Sequence, residues 1–215
     1  MELILIGYGC HSKVVQDILS LDKTIKIVAI LDDRFGECYH LKDIVYGPIF
    51  LFHQMDQPDR RVLIAIGDNV RRMQVAAYLK NDAEKYYTAI HPSAVISPSA
   101  EIGAGTVIMP HAVVNPDARI HSFSIINSGA IVEHDCEVGA YTHLSPNTTL
   151  TGGVKIGEGS HVGAGATIIP GKMLGKWVTV GAGAVVTKDV PDGQLAVGCP
   201  AYLVDRSELK KEARL

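Results

Sequence analysis

The chain has 215 residues and a formal charge of −3, with 20 Lys and Arg against 23 Asp and Glu. This balance argues against a basic nucleic-acid binder and against electrostatic attraction to an anionic membrane. A hydrophobic content of 47% with 20% charged residues excludes a largely disordered chain and is enough for a core without disulfide or metal staples.

The first third reads as a small parallel α/β unit. Leu3 to Ile6 is an apolar run closed by Gly7-Tyr8-Gly9-Cys10-His11-Ser12-Lys13, and Val14 to Leu19 continues as helix. Ile25 to Leu31 is a second run ending in Asp32-Asp33. Val62 to Ile66 is a third, ending in Gly67-Asp68-Asn69, with a helix from about Val70 to Leu79. Ligands of such sheets sit outside the carboxyl ends of the strands, where all three polar clusters fall. The glycine turn is an incomplete dinucleotide fingerprint, because Ser12 stands where a third Gly would be. Gly7 and Gly9 still permit a tight turn, and the helix start beyond them can hold a phosphate or diphosphate. The acidic pair follows at the distance where ribose or base contacts are commonly made. The competing readings are a structural turn and a solvated loop.

Ile90-His91-Pro92 marks a change of structure. From Ile90 to Val186 every sixth residue is Ile, Val or Leu, 17 positions without interruption. Four residues after each stands a small or β-branched residue, Lys172 excepted. A period of six is neither helix nor simple strand. It fits short strands joined by corners, three sides to an 18-residue coil, the coils pairing as parallel strands about 4.8 Å apart. Residues n and n+18 then stack. Gly163 meets Gly181 and Gly165 meets Gly183, a ladder expected to leave backbone amides open to a ligand. His143 and His161 stack likewise. Among six histidines of this region, His134 stands out in Glu133-His134-Asp135-Cys136, since flanking carboxylates can fix its tautomer and raise its basicity. Asn127, seven residues earlier, is expected to face the same cleft. No His-x4-His pair is present, and no metal is expected. After Val190 the chain leaves the prism through Pro191-Asp192-Gly193, and Asp205 to Leu215 reads as a short polar helix or a frayed end. The expected units are thus 1–88, 89–190 and an extension, 191–215.

Cys10, Cys38, Cys136 and Cys199 form no CxxC and read as reduced thiols of a cytoplasmic protein. The N-terminus has no basic leader, and no run approaches the apolar length of a membrane span.

The period of six resembles the hexapeptide-repeat acyltransferases, which implies a left-handed parallel β-helix; the usual crossover rule alone would have favoured a right-handed one. The full arrangement resembles one branch of that family, the N-acetyltransferases of UDP-4-amino-sugars in bacillosamine-type pathways together with sialic acid O-acetyltransferases. The resemblance rests on Gly7-x-Gly9-x-His11-Ser12-Lys13, Leu31-Asp32-Asp33, Ile66-Gly67-Asp68-Asn69, Ile90-His91-Pro92-Ser93-Ala94, Asn127, Glu133-His134-Asp135-Cys136, His143 and Gly198-x-Pro200-Ala201. It implies His134 as general base, Asp135 as the carboxylate that increases its basicity, and coenzyme contacts at His143, Ala164 and Ala182. It also implies a nucleotide-sugar site in the N-terminal unit. Gly9, Cys10, His11, Ser12, Lys13, Asp32, Asp33, Gly67 and Asn69 are its candidates, with Asn127 on the substrate side. Cys10 stands where Gly is commoner. Acetyl-coenzyme A is the implied co-substrate and a homotrimer, with sites between neighbouring prisms, the implied assembly. Transfer to a sugar amine is the reading. The alternatives are transfer to a hydroxyl of sialic acid or another surface sugar, and a non-catalytic sugar-nucleotide-binding scaffold.

Overall fold

The computed structural model describes residues 1–205. The helix or frayed end expected toward the C-terminus falls almost wholly outside the described residues. Strand β1 (Glu2–Ile6) leads through α1 (Cys10–Ser20) to β2 (Lys26–Leu31), then to β3 (Tyr39–Leu41) and β4 (Ile44–Gly47). A short helix, α2 (Phe52–Met55), precedes β5 (Arg61–Ile64) and α3 (Asn69–Leu79). The sheet order is β3-β4-β2-β1-β5, parallel except for the β3–β4 hairpin. The expected strands and helices are present with ends shifted by at most four residues. The hairpin and α2 carry no apolar run long enough to announce them, and β3 is exposed throughout. The chain runs from β1 to β2 on one side and returns with β5 on the other. The crevice between the carboxyl ends of β1 and β5 is therefore a topological switch point.

From Ala89–Ile90 to Val185–Val186 the chain forms seventeen two-residue strands. They stack into three parallel sheets, one per side of a left-handed β-helix. The register is 18 residues throughout, as in Ile126 against Leu144 and Val132 against Leu150. One residue of each strand points inward. Ile108, Ile126, Leu144, Val162 and Val180 are almost wholly buried on one side, and the small corner residues Ala112, Ala130, Thr148 and Ala166 are buried beside them. Buried corner hydroxyls are bonded to the next coil, as Ser160 Oγ donates to the Gly175 carbonyl at 2.8 Å. From Gly105 to Gly183 the corners place a residue at positive φ every six positions, seven of them non-glycine, Asp135 at +59° among these. The side-chain and carbonyl crowding that this region imposes explains the many Gly, Asp and Asn at corners.

The outward residues of one sheet position the site. Ala89, Val107 and Ile125 face out and are buried with Leu3, Leu5, Val15 and Ala65, so the α/β unit sits on this face. The same column continues as His143, His161 and Thr179. Apolar residues thus give way to imidazoles where the α/β unit ends.

A cleft, a histidine column and a corner histidine

The loops after β1, β2 and β5 enclose a cleft of about 430 Å³. Gly7, Gly9, Cys10, His11, Asp32, Asp33 and Gly67 line it, joined by Arg34 and Arg71. Gly7 adopts φ +112°, and a Cβ there would lie 2.8 Å from the Ala65 carbonyl oxygen, so only glycine lets β1 turn this close to β5. Gly9 caps α1 without any side-chain hydrogen bond, leaving the first amides of the helix toward the cleft. Asp32 shapes the floor. Its carboxylate accepts from the Tyr8 amide at 2.7 Å and from the Arg34 amide and Nε at 3.0 and 3.1 Å, while Arg34 Nη1 donates to the Tyr8 carbonyl. Asp33 pairs with Arg71 at the rim. The two arginines escape sequence reading because a surface arginine has no pattern of its own. Their partners, Asp32 and Asp33, were the available signal.

Three residues expected at this cleft lie elsewhere. Ser12 is fully buried on the inner face of α1, and its hydroxyl accepts from Gln16 Nε2 at 3.2 Å. Lys13 points to solvent and does not line the cleft. Asn69 is a clamp: its Nδ2 donates to the carbonyls of Gly159 and Ser160 at 3.0 and 3.1 Å, and its Oδ1 accepts from Arg72. One turn of helix carries residues 11, 12 and 13 to different faces, so only His11 of the three looks into the cleft.

Arg72 carries no signal of its own in the sequence. It is 1% exposed, and its guanidinium donates to the carbonyls of Ile66, Gly67, Phe123 and Tyr141 and to Asn69 Oδ1. No carboxylate pairs with it among the described residues. Burial pulls its pKa down to about 10, which keeps it charged near neutrality. It ties the loop after β5 to two coils of the prism.

Behind the cleft stands the histidine column. His143 and His161 stack with centroids 5.0 Å apart and planes within 3°. His11 lies 6.4 Å from His143. Asn127 Oδ1 accepts from the Ser128 amide, which turns its Nδ2 toward His143 Nε2 at 3.0 Å. Asn127 therefore addresses His143 and not, as expected, the surroundings of His134, which stands at the following corner. Burial, then the neighbouring His161, Arg72 and His11, pushes His143 down to about 3. Burial and the Arg72 charge push His11 down to about 4. Both rings are neutral at physiological pH. His143 and His161 line a groove of about 560 Å³ with Asp68, Asn69, Trp177 and Thr179, and Gly67 borders both groove and cleft.

His134 occupies a corner on another side of the prism. Its Nδ1 meets Asp135 Oδ2 at 2.8 Å, and this hydrogen bond raises its pKa, with added attraction from Asp135 and Glu133. The left-handed backbone at Asp135 turns its carboxylate back onto the preceding ring. Nε2 is thereby left as the proton-accepting nitrogen. No hydrogen bond or ring contact joins His134 to the cleft or column among the described residues.

The glycine ladder behaves differently from expectation. The amides of Gly163, Gly165, Gly181 and Gly183 all donate to carbonyls of adjoining coils, at 2.8 to 2.9 Å. A Cβ on Gly163 would lie 2.6 Å from the Ala182 amide nitrogen, so close coil packing explains that glycine. Ala164 and Ala182, one coil apart, are exposed and their amides make no hydrogen bond among the described residues. They, rather than the glycines, offer stacked free donors.

Residues 2–79 match the PglD N-terminal domain family. The chain superposes on PerB from Caulobacter crescentus, solved with CoA and GDP-perosamine, with TM-score 0.87 and 38% identity over 95% of this chain and 98% of that one. The chain belongs to the family of these sugar N-acetyltransferases. The acetyltransferase domain of PglB from Neisseria gonorrhoeae FA1090, solved in complex with acetyl coenzyme A, superposes with TM-score 0.81 and 35% identity over 94% of this chain and 98% of that one. UDP-N-acetylbacillosamine N-acetyltransferase of Bacillus subtilis (strain 168) is 42% identical over 108 residues, which span 49% of this chain and half of that protein. Membership agrees with both halves of the expected fold, the small parallel α/β sheet and the left-handed parallel β-helix.

Chemically, the three places are complementary. The cleft offers helix-start amides and two arginines, a setting for phosphate oxygens. The column offers neutral imidazoles and free backbone donors. The corner offers a base with one nitrogen open. Among the described residues no group of three or more His, Cys, Asp and Glu side chains is arranged to hold a metal, and no helix is long and apolar enough to cross a membrane.

Proposed function

We propose that this protein transfers the acetyl group of acetyl-coenzyme A to the amine of a nucleotide-linked amino-sugar, with His134 as general base. The hydrogen bond that His134 Nδ1 donates to Asp135 is the observation that carries the reading, because it leaves Nε2 as the accepting nitrogen and more basic than an isolated imidazole. The sugar nitrogen attacks the thioester carbonyl, a C–N bond forms and the C–S bond breaks. Nε2 of His134 takes the proton lost by the nitrogen, and the coenzyme leaves as its thiol after that proton is passed on. Asp135 holds the imidazole and stabilises its charged form.

In this reading the chain divides its labour between residues 1–88, which bind the nucleotide-sugar, and residues 89–190, which bind the coenzyme and do the chemistry, with 191–215 as an extension. Gly9, Cys10, His11, Asp32, Asp33 and Gly67 meet the nucleotide, and Arg34 and Arg71 neutralise its phosphates. His143, Ala164 and Ala182 serve the coenzyme, and Asn127 orients His143. The separation of His134 from the cleft within one chain favours a homotrimer in which neighbouring prisms bring the two together, in the cytoplasm.

The test is mass spectrometry of the sugar product after incubation with acetyl-coenzyme A and a panel of UDP- and GDP-linked 4-amino-sugars. Acetylation of the amine is expected. Coenzyme binding without product from any amine, but with product from a hydroxyl sugar, would move the reading to O-acetylation. His134→Ala should lose about 10²- to 10⁴-fold in kcat with coenzyme affinity kept, and near-full turnover would remove His134 from the role.

A further inference from the structure

Gly152 lies directly beneath His134 in the next coil. The register pairs Ile131 with Thr149 and Val132 with Leu150, and the Gly153 amide donates to the His134 carbonyl at 2.9 Å. A Cβ added to Gly152 would stand 2.7 Å from both Cε1 and Nε2 of the His134 ring. The three nearest atoms to that position all belong to this ring. The adjacent glycine behaves in the opposite way. Gly153 has φ +70° with nothing within 4 Å of its Cβ position, so the corner backbone explains it. Gly152 is outside the left-handed region, and the chain there would accept alanine without backbone strain. What a side chain at 152 would meet first is the imidazole.

We infer that Gly152 is a positioning residue for the general base: its missing side chain is the seat that lets the Cε1–Nε2 side of the His134 ring lie against the coil while Nδ1 keeps its bond to Asp135. The inference rests on the reading of His134 as base. Two constraints hold the ring, the Asp135 carboxylate on one edge and the bare Gly152 backbone beneath the other. A methyl group at 152 removes the second. Since ordinary contact begins at 3.4 Å, the ring edge must retreat by about 0.7 Å. The His134 side chain is 62% exposed, so it can swing outward and the coil need not move. The change therefore spares the fold and falls on the chemistry, where a misplacement of about 1 Å costs on the order of 100-fold.

Gly152→Ala is tested in the intact enzyme by three readouts. Steady-state kinetics with acetyl-coenzyme A and the accepted amino-sugar should show kcat reduced by about 10- to 100-fold, with both KM values within about twofold. The melting temperature should not fall, because alanine at an ordinary φ restricts the unfolded chain. NMR titration of the His134 ring should show its midpoint moving down toward that of an unpaired histidine as the Asp135 bond loosens. The ionisable groups that bear on this ring are Asp135 and Glu133 of its own coil; the coils stacked on either side present Pro116 and Asp117, and Gly152 and Gly153, in register. All of these are unchanged by the substitution except the seat. An unmoved midpoint overturns the inference whatever the turnover, and a moved midpoint with wild-type kcat overturns it equally. His134→Ala measured in parallel separates the two readings: full turnover there would defeat the general base itself and, with it, any catalytic consequence of the seat, whereas a dead His134→Ala beside a fully active Gly152→Ala would defeat only the seat.

Discussion

His11 and His143 are neutral in the folded protein, held well below the ordinary 6.5 at about 4 and about 3, chiefly by burial. Unfolding exposes both rings to water, where they protonate near 6.5. Below that pH the unfolded state binds protons that the folded state refuses, so stability falls as pH falls. The loss continues down to each folded pKa. At about pH 5, one and a half units below 6.5, each ring costs about 2 kcal/mol, at about 1.36 kcal/mol per unit. This figure does not depend on how far below 5 the folded values lie. Together they predict a loss of about 4 kcal/mol between about pH 7.5 and pH 5, a large share of the usual stability of a domain. His161, also lowered by burial, adds in the same direction. The carboxylates with shifted values, Glu2 and Asp22, are lowered from 4.5 and 3.8 and act below this window. His134 acts oppositely: its raised pKa gives stability that is present below 6.5 and lost as pH rises through the folded value. The assay is urea unfolding at fixed protein concentration across this range, followed by fluorescence of Trp177, the single tryptophan. His143→Gln should remove about half of the slope. Equal unfolding free energies at both pH values, or a His143→Gln variant that retains the full slope, would refute the burial argument.

Two further substitutions test the clamp and the cleft. Arg72→Met removes five donated hydrogen bonds and takes the donor from the carbonyls of Ile66, Phe123 and Tyr141, and urea unfolding should show a loss of about 3 to 5 kcal/mol; a loss below about 1 kcal/mol would mean that the buried charge costs as much as its bonds return. Asp32→Ala frees the Tyr8 amide and Arg34, so the KM for nucleotide-sugar should rise by about tenfold or more while that for acetyl-coenzyme A stays within about twofold. Equal changes in both would refute the assignment of the cleft to the nucleotide.

The site was only partly legible before the structure. His134 beside Asp135 is a contact between chain neighbours, and the sequence brings it into view directly. The His143–His161 stack is equally legible, because a register of 18 residues converts spacing into contact. Asn127 meets His143 and not the expected surroundings of His134. Its distance along the chain from His134 is short, but the prism turns a corner between them and its amide meets His143 in the next coil. Asn69 looked like a ligand contact because it follows a strand end, yet the prism lies against that loop and takes up its amide. Lys13 failed for a simpler reason, since helical periodicity turns it away from the face that His11 presents.

By itself, the sequence determined the architecture: a period of six held over 17 positions admits a three-sided coil, and apolar runs closed by glycine and acidic turns admit a parallel α/β sheet. Such patterns are local and repeated, so each repeat reinforces the same reading. The tertiary structure decided where the α/β unit sits on the prism, and with it the burial of His11, Arg72 and His143. It also decided that Gly163 is needed for coil packing while Gly152 makes room for a ring. Those outcomes depend on which surfaces meet across about a hundred residues of chain, and a glycine looks the same in the sequence whether its freedom or its emptiness is being used.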